Sequence, residues 1–203
     1  MSDLVGAIIS IIIILVSLVL HELAHGVVAF WLGDRTAKDA GRLTLNPLKH
    51  LDPYMSVILP TVLLISGAPA FGSAKPVPVS RDNLKGKEWG MVLVALAGPL
   101  TNFILALLAF LVFRFCDFNA IALEVVYINL SLMVFNLIPL PPLDGSRVLY
   151  AFSPDGVRRF LDTIEPYSIF IVYIIVLLCG NLLSNILYGA MSGIFDFFIS
   201  ITG

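Results

Sequence analysis

Apolar positions run almost unbroken from Leu4 to Leu32, from Trp89 to Arg114, from Asn119 to Ile138 and from Tyr167 to Ile201, with polar or proline-rich stretches between them. Runs of about 20 residues are long enough to cross some 30 Å of hydrocarbon as helices, where every backbone polar group must be bonded within its own segment. A fifth run, Tyr54 to Gly67, is only about 14 residues long and contains Pro60. That length and that break suit a re-entrant or interfacial hairpin better than a span. Ahead of it, Gly41 to Asn46 alternates in side-chain character as a strand would, and Asn46-Pro47 ends the alternation. Behind it, Pro69, Gly72, Pro76 and Pro78 hold the chain extended up to Arg81.

Two further breaks shape the second half. Pro139, Pro141 and Pro142 end the third span and free Asp144, in Leu143-Asp144-Gly145, to swing toward a neighbouring element. The last run is long for one span and is interrupted at Gly180-Asn181, so one span plus a terminal helix and two separate spans are both open. The pattern predicts an all-α polytopic membrane protein of about five or six transmembrane helices. A short membrane-associated strand and re-entrant hairpin lie between the first and second spans. Residues 1–203 form a single membrane-embedded domain.

Composition agrees. Hydrophobic residues make up 59% of the chain, charged residues 13%, and the mean hydropathy is +0.98, which leaves too little polar surface for a water-soluble domain. The net charge of −2 gives no ground for a nucleic-acid partner. Cys116 and Cys179 have no metal spacing and read as small hydrophobes, with pairing left open. No basic segment and no small-residue cleavage site precede the first histidine, so the first run is expected to be a retained span and not a signal peptide.

Charge sets the expected orientation. Arg35, Lys38, Arg42, Lys49, Lys75, Arg81, Lys85, Lys87, Arg147, Arg158 and Arg159 fall in three loops, and Arg114 alone falls elsewhere. The positive-inside rule places those loops in the cytoplasm and the N-terminus outside. Both flanks of Tyr54 to Gly67 are then cytoplasmic, which independently requires that this run not cross. The same topology puts His25 and Asp144 at similar depth near the cytoplasmic face.

Candidate chemistry lies inside the first span, at His21-Glu22-Leu23-Ala24-His25. Histidines four apart share one helix face, about 6 Å along the axis, and can converge on one metal ion. Glu22 sits beside that face, within reach of an attacking water as general base. A buried hydrogen-bonded cluster is the plainer reading. Each ionisable group in hydrocarbon costs about 2 to 3 kcal/mol or more, however, so three together favour a functional site. Gly98, Asn102 and Ala106 recur every four residues as a small face for close helix approach. Asn102 there admits either an interhelical hydrogen bond alone or a role at the site. Glu124 reads as an interfacial snorkelling residue, and His50 as a solvated or capping residue outside the ligand set.

Three ordered motifs carry a family resemblance: His21-Glu22-Leu23-Ala24-His25, Gly98-Pro99-Leu100-Thr101-Asn102, and Asn136-Leu137-Ile138-Pro139 through Leu143-Asp144-Gly145. Over roughly Val5 to Tyr150 the chain resembles the site-2 proteases, intramembrane zinc metalloproteases. Asn46-Pro47 through Asp52-Pro53 and Lys75-Pro76-Val77-Pro78-Val79 are similar to the compact subgroup, which has neither a PDZ nor a cystathionine-synthase-like regulatory domain. The resemblance implies one zinc ion held by His21, His25 and Asp144, with Glu22 activating water. It implies cleavage of a membrane protein's transmembrane segment near the cytoplasmic face of the cell membrane. Arg42 to Leu45 would receive the unwound substrate by edge pairing, and Asn102 and Asn136 would hold substrate backbone or the developing oxyanion.

Two other classes compete. Histidine and aspartate inside a bundle also mark an ion path, as in a metal transporter or sensor. Glu22 discriminates, because transport needs no acid beside a ligand whereas water activation does. A catalytically silent protein that captures transmembrane helices is separated only by an activity assay.

Overall fold

The computed structural model describes residues 3–51, 75–116 and 119–202. The Tyr54 to Gly67 hairpin, the Asp52-Pro53 end of its flanking motif, and Pro69 and Gly72 lie outside the described residues. The described chain is helical: α1 Asp3–Trp31, α2 Thr36–Asp39, α3 Glu88–Phe115, α4 Ala120–Asn136, α5 Asp144–Phe152, α6 Asp155–Ile164 and α7 Ser168–Thr202. Single 3₁₀ turns occupy Pro47–Lys49, Arg81–Asn83 and Glu165–Tyr167.

Three helical stretches are long and apolar enough to cross a membrane: Leu4–Trp31, Glu88–Phe115 and Asp155–Thr202. The apolar helix Ala120–Asn136 has 17 residues, about 25 Å at 1.5 Å per residue, slightly short of a full crossing. The expected five or six spans are not reached among the described residues. The interruption expected at Gly180-Asn181 falls at Cys179 (φ −118°, ψ 18°), a kink at which the two helical segments of α7 meet.

The expected strand is absent as well. Gly41 to Asn46 forms turns and bends, with the Thr44 amide donating to Arg42 O at 3.0 Å, and no strand occurs among the described residues. Alternation prepares a strand but does not supply its partner, and here the polar backbone is satisfied locally.

Helix ends follow local chemistry. α1 stops at Gly33, whose φ of +103° favours glycine, and the Asp34 amide closes the end on Ala29 O at 2.9 Å. Asp34, just past the end of α1, is fully buried. Its carboxylate accepts from the Thr36 amide (3.0 Å) and hydroxyl (2.5 Å), the Ser80 amide (2.6 Å) and the Asn83 side-chain amide (3.2 Å). Burial raises its pKa, but these hydrogen bonds outweigh that and hold it below the usual carboxylate value. The Lys85 amide adds a bond to Leu32 O at 2.8 Å, so residues 80–85 are tied to the end of α1. Asn119 caps α4 by accepting from the Ile121 amide at 2.9 Å.

α3 is the central helix, packed against α1, α4 and α5. Ala106 and Phe110 of α3 meet Val126 and Leu130 of α4 and Phe198 of α7 in one core cluster. A second cluster joins Ala29 of α1, Leu84 just after the Arg81–Asn83 turn, and Val94 of α3. The Gly98, Asn102, Ala106 face is buried as its spacing predicts. Glu124 is half-buried and accepts a hydrogen bond from the Ser10 hydroxyl of α1, a pairing that replaces the free snorkelling residue read from the sequence. Arg147, Arg158 and Arg159, assigned to a basic loop from the sequence, lie on the two short helices α5 and α6.

Candidate metal centre

His21 and His25 project from one face of α1 with their rings edge to face, centroids 4.7 Å apart. Their Nε2 atoms lie 3.0 Å from each other. Asp144, the first residue of α5, brings Oδ2 to 3.1 Å from His21 Nε2 and Oδ1 to 3.3 Å from His25 Nε2. The three side chains are the group among the described residues whose ligand atoms converge. A four-coordinate zinc with ligands at about 2.0 to 2.1 Å has ligand-to-ligand edges of about 3.3 Å. The observed edges fit that size.

Protonation of the rings can be traced through a line of hydrogen bonds. Asn129 Nδ2 donates to Val125 O at 2.9 Å and to Ser17 Oγ at 3.0 Å. Since the Val125 carbonyl can only accept, the other end of that amide, Oδ1, is the atom that accepts from Asn102 Nδ2 at 2.8 Å. Asn102 Oδ1 then faces His21 Nδ1 at 2.5 Å, so Nδ1 carries the ring proton. His25 Nδ1 faces the Val94 carbonyl at 2.7 Å and must likewise donate. In the neutral rings both Nε2 atoms therefore present lone pairs to each other and to a carboxylate. Asp144 Oδ2 is buried and has no hydrogen-bond donor among the described residues. Such a set of acceptors, with one buried oxygen left without a donor, matches a cation's needs.

Two glycines make the convergence possible. A Cβ on Gly98 would lie 2.5 Å from His21 Cε1 and from His25 Nε2, so α3 closes the site only because it has no side chain there. Pro99 follows and removes a donor from the α3 ladder in the same turn that offers Val94 O to His25. A Cβ on Gly145 would lie 2.2 Å from Leu137 O, so glycine lets α5 start directly against the end of α4 and present Asp144 inward.

Glu22 is half-buried, and its Oε2 accepts from the Val77 amide at 2.8 Å. Asn102 is fully buried, with Oδ1 facing His21 Nδ1 and Nδ2 donating to Asn129 Oδ1, so it orients His21. Asn136 is half-buried and donates to Leu132 O at 2.9 Å; no hydrogen bond joins it to the cluster among the described residues. His50 is the capping alternative and not the solvated one: it ends the Pro47–Lys49 turn with its amide on Pro47 O, is 2% exposed with Nε2 at 2.8 Å from Thr44 O, and stands outside the convergent group. The sequence assigned no role at the site to Ser17, Asn129, Val94 or Val77. For Ser17, one turn before His21 on the same face, and for Asn129, the available signal was a polar side chain inside an apolar run. For Val94 and Val77 the functional atoms are backbone, which side-chain identity does not reveal.

Residues 9–123 and 115–179 match the model of Peptidase family M50. "Putative zinc metalloprotease YwhC" of Bacillus subtilis (strain 168) is 41% identical over 181 residues, covering 82% of this chain and 78% of that protein. "Putative zinc metalloprotease Rip2" of Mycolicibacterium smegmatis is 32% identical over 191 residues, covering 90% of this chain and 71% of that protein. "Zinc metalloprotease MJ0392" of Methanocaldococcus jannaschii is 31% identical over 144 residues, covering 69% of this chain and 33% of that protein. No solved structure matches the chain.

Proposed function

The chain belongs to Peptidase family M50, the site-2 protease family of zinc metalloproteases, and from that membership we propose that it hydrolyses a peptide bond within or near the transmembrane segment of a membrane-protein substrate. The observation that carries this reading is the convergence of His21, His25 and Asp144 within an apolar helical bundle, with Glu22 next in sequence to His21. One zinc ion per chain would be held by the two Nε2 atoms and the Asp144 carboxylate. When bound, it supplies the acidity that lets water lose a proton near neutral pH and it polarises the scissile carbonyl.

The chain's own residues do the remaining work. Glu22, steadied at Oε2 by Val77, keeps Oε1 to take a proton from the attacking water and pass it to the leaving amine. Asn102 and the Val94 carbonyl hold the two rings in the tautomer that offers Nε2 inward. Asn136, near the end of α4, is our candidate for a donor to substrate backbone or the developing oxyanion. The substrate helix must unwind before it can be cut, and Arg42 to Leu45, whose Arg42 and Thr44 amides bond locally to Ala37 O and Arg42 O, would exchange such bonds for pairing with the extended strand as it enters. Loops rich in Arg and Lys support a site near the cytoplasmic face of a multi-pass cell-membrane protein with its N-terminus outside.

A base held beside the ligands favours hydrolysis over an ion path. The test is metal analysis of the purified protein combined with cleavage of a generic transmembrane substrate, before and after chelation. Near-stoichiometric zinc with chelator-sensitive cleavage is expected, and zinc without cleavage of any transmembrane substrate would overturn the reading.

A further inference from the structure

We propose that Arg42 is a positioning residue for Glu22, acting through the backbone of the Lys75 to Val79 segment; the inference rests on the reading of Glu22 as general base. In Pro76-Val77-Pro78 the Val77 amide is the single backbone donor, because proline has none. That amide is the one that bonds Glu22 Oε2. The two prolines fix their own φ and hold Lys75 and Val77 extended, so the direction of the Val77 N–H is set by where the preceding peptide is anchored.

The anchor is the 42–50 loop. The Lys75 amide donates to His50 O at 2.9 Å, and Arg42 Nη2 donates to Lys75 O at 2.7 Å and, at greater length, to Pro76 O at 3.4 Å. Lys75 is thus gripped at both its N–H and its C=O. Arg42 is 7% exposed, has no carboxylate partner among the described residues, and its buried Nε has no acceptor there. A guanidinium taken out of water to hold the Lys75 and Pro76 carbonyls is costly for loop packing alone.

The same loop presses on α1 where Glu22 lies. A Cβ on Gly26, four residues after Glu22 on the same face, would fall 2.5 Å from Leu43 Cδ2 and 3.1 Å from Val77 Cγ1. Arg42, Leu43 and Val77 therefore form one strap over the turn that carries the base.

The test compares Arg42→Ala and Arg42→Lys in the full chain, in detergent or nanodiscs, with the unaltered protein. Hydrogen exchange of the Val77 amide is followed by NMR alongside zinc content and steady-state cleavage of a transmembrane substrate. We expect Val77 exchange to rise about tenfold or more in Arg42→Ala. Arg42→Lys, which retains one donor for Lys75 O, should lie between. Zinc content should hold, and kcat should fall by about tenfold at unchanged KM. In a Glu22→Gln background, Arg42→Ala should change kcat little, since residues acting through one another are not additive. Unchanged Val77 exchange, unchanged kcat, or loss of zinc and helicity even in Arg42→Lys would each overturn the assignment. If the unaltered protein cleaves nothing, the peptidase reading fails, while Val77 exchange still decides whether Arg42 sets the amide that meets Glu22.

Discussion

Gly98 lies so close to His25 that a Cβ added to it would sit 2.5 Å from Nε2, the atom that turns toward Asp144. The helix that closes the site therefore contributes by lacking a side chain. Gly98→Ala must push both rings off the ligand position, because α3 is held further along its length by the core around Ala106 and Phe110. Expected outcomes are loss of bound zinc and of cleavage, with helical content retained. Metal analysis and circular dichroism check them, and full zinc binding by Gly98→Ala would show that the helices can separate.

Ligand and base are separable by the pair Asp144→Ala and Glu22→Gln. The first leaves two histidines for an ion that wants three protein ligands, so zinc and activity should both collapse. The second keeps all three ligands but cannot take the water's proton, so zinc should stay while turnover falls about 10²-fold or more. Full zinc in Asp144→Ala, or normal turnover in Glu22→Gln, would contradict these roles.

Asn129 touches neither histidine, yet it determines which end of Asn102 faces His21. Asn129→Leu removes the acceptor for Asn102 Nδ2 and frees that amide to turn over. Zinc affinity should drop by about 10- to 100-fold, the range for residues that orient a ligand from behind. Competition with a chelator measures it.

Asp34 makes a pH-dependent contribution to stability. Its folded pKa lies below the ordinary carboxylate value, so the stabilisation is complete above that ordinary value, about 4, and is lost as pH falls through the folded value. Asp34→Asn should lower the melting temperature at pH 7, and the gap from the unaltered protein should narrow on acidification below about pH 4. A constant gap across that range would mean that the carboxylate's charge is not what holds residues 80–83 to α1.

Orientation is tested by single cysteines at Lys38, Lys85, Arg158 and Ala120. The one-sided distribution of basic loops predicts labelling of the first three from the cytoplasmic side and of the fourth from outside. External labelling at Lys85 would mean that the Tyr54 to Gly67 run crosses the bilayer.

The sequence by itself determined the features that depend on neighbours along the chain. Helical periodicity places His21 and His25 on one face and Gly98, Asn102 and Ala106 on another. Run length marks α1 and α3 as spans, the prolines at 139 to 142 end α4 before Asp144, and Asn119 is recognisable as a cap once the helix after it is known. Each is a property of a few consecutive residues, because helix pitch and missing proline donors are local. Tertiary structure alone decided which side chains meet across helices. Asn102 spends both ends of its amide on His21 and Asn129, Asp34 turns inward to Ser80 and Asn83, and Gly41 to Asn46 bends where alternation alone promised a strand. Glu22 found its partner in a backbone amide 55 residues away. Hydropathy reports how deep a residue sits, whereas a hydrogen bond depends on the rotation and height of two helices relative to each other. Those are set only when all the packed faces, Gly98 among them, come together.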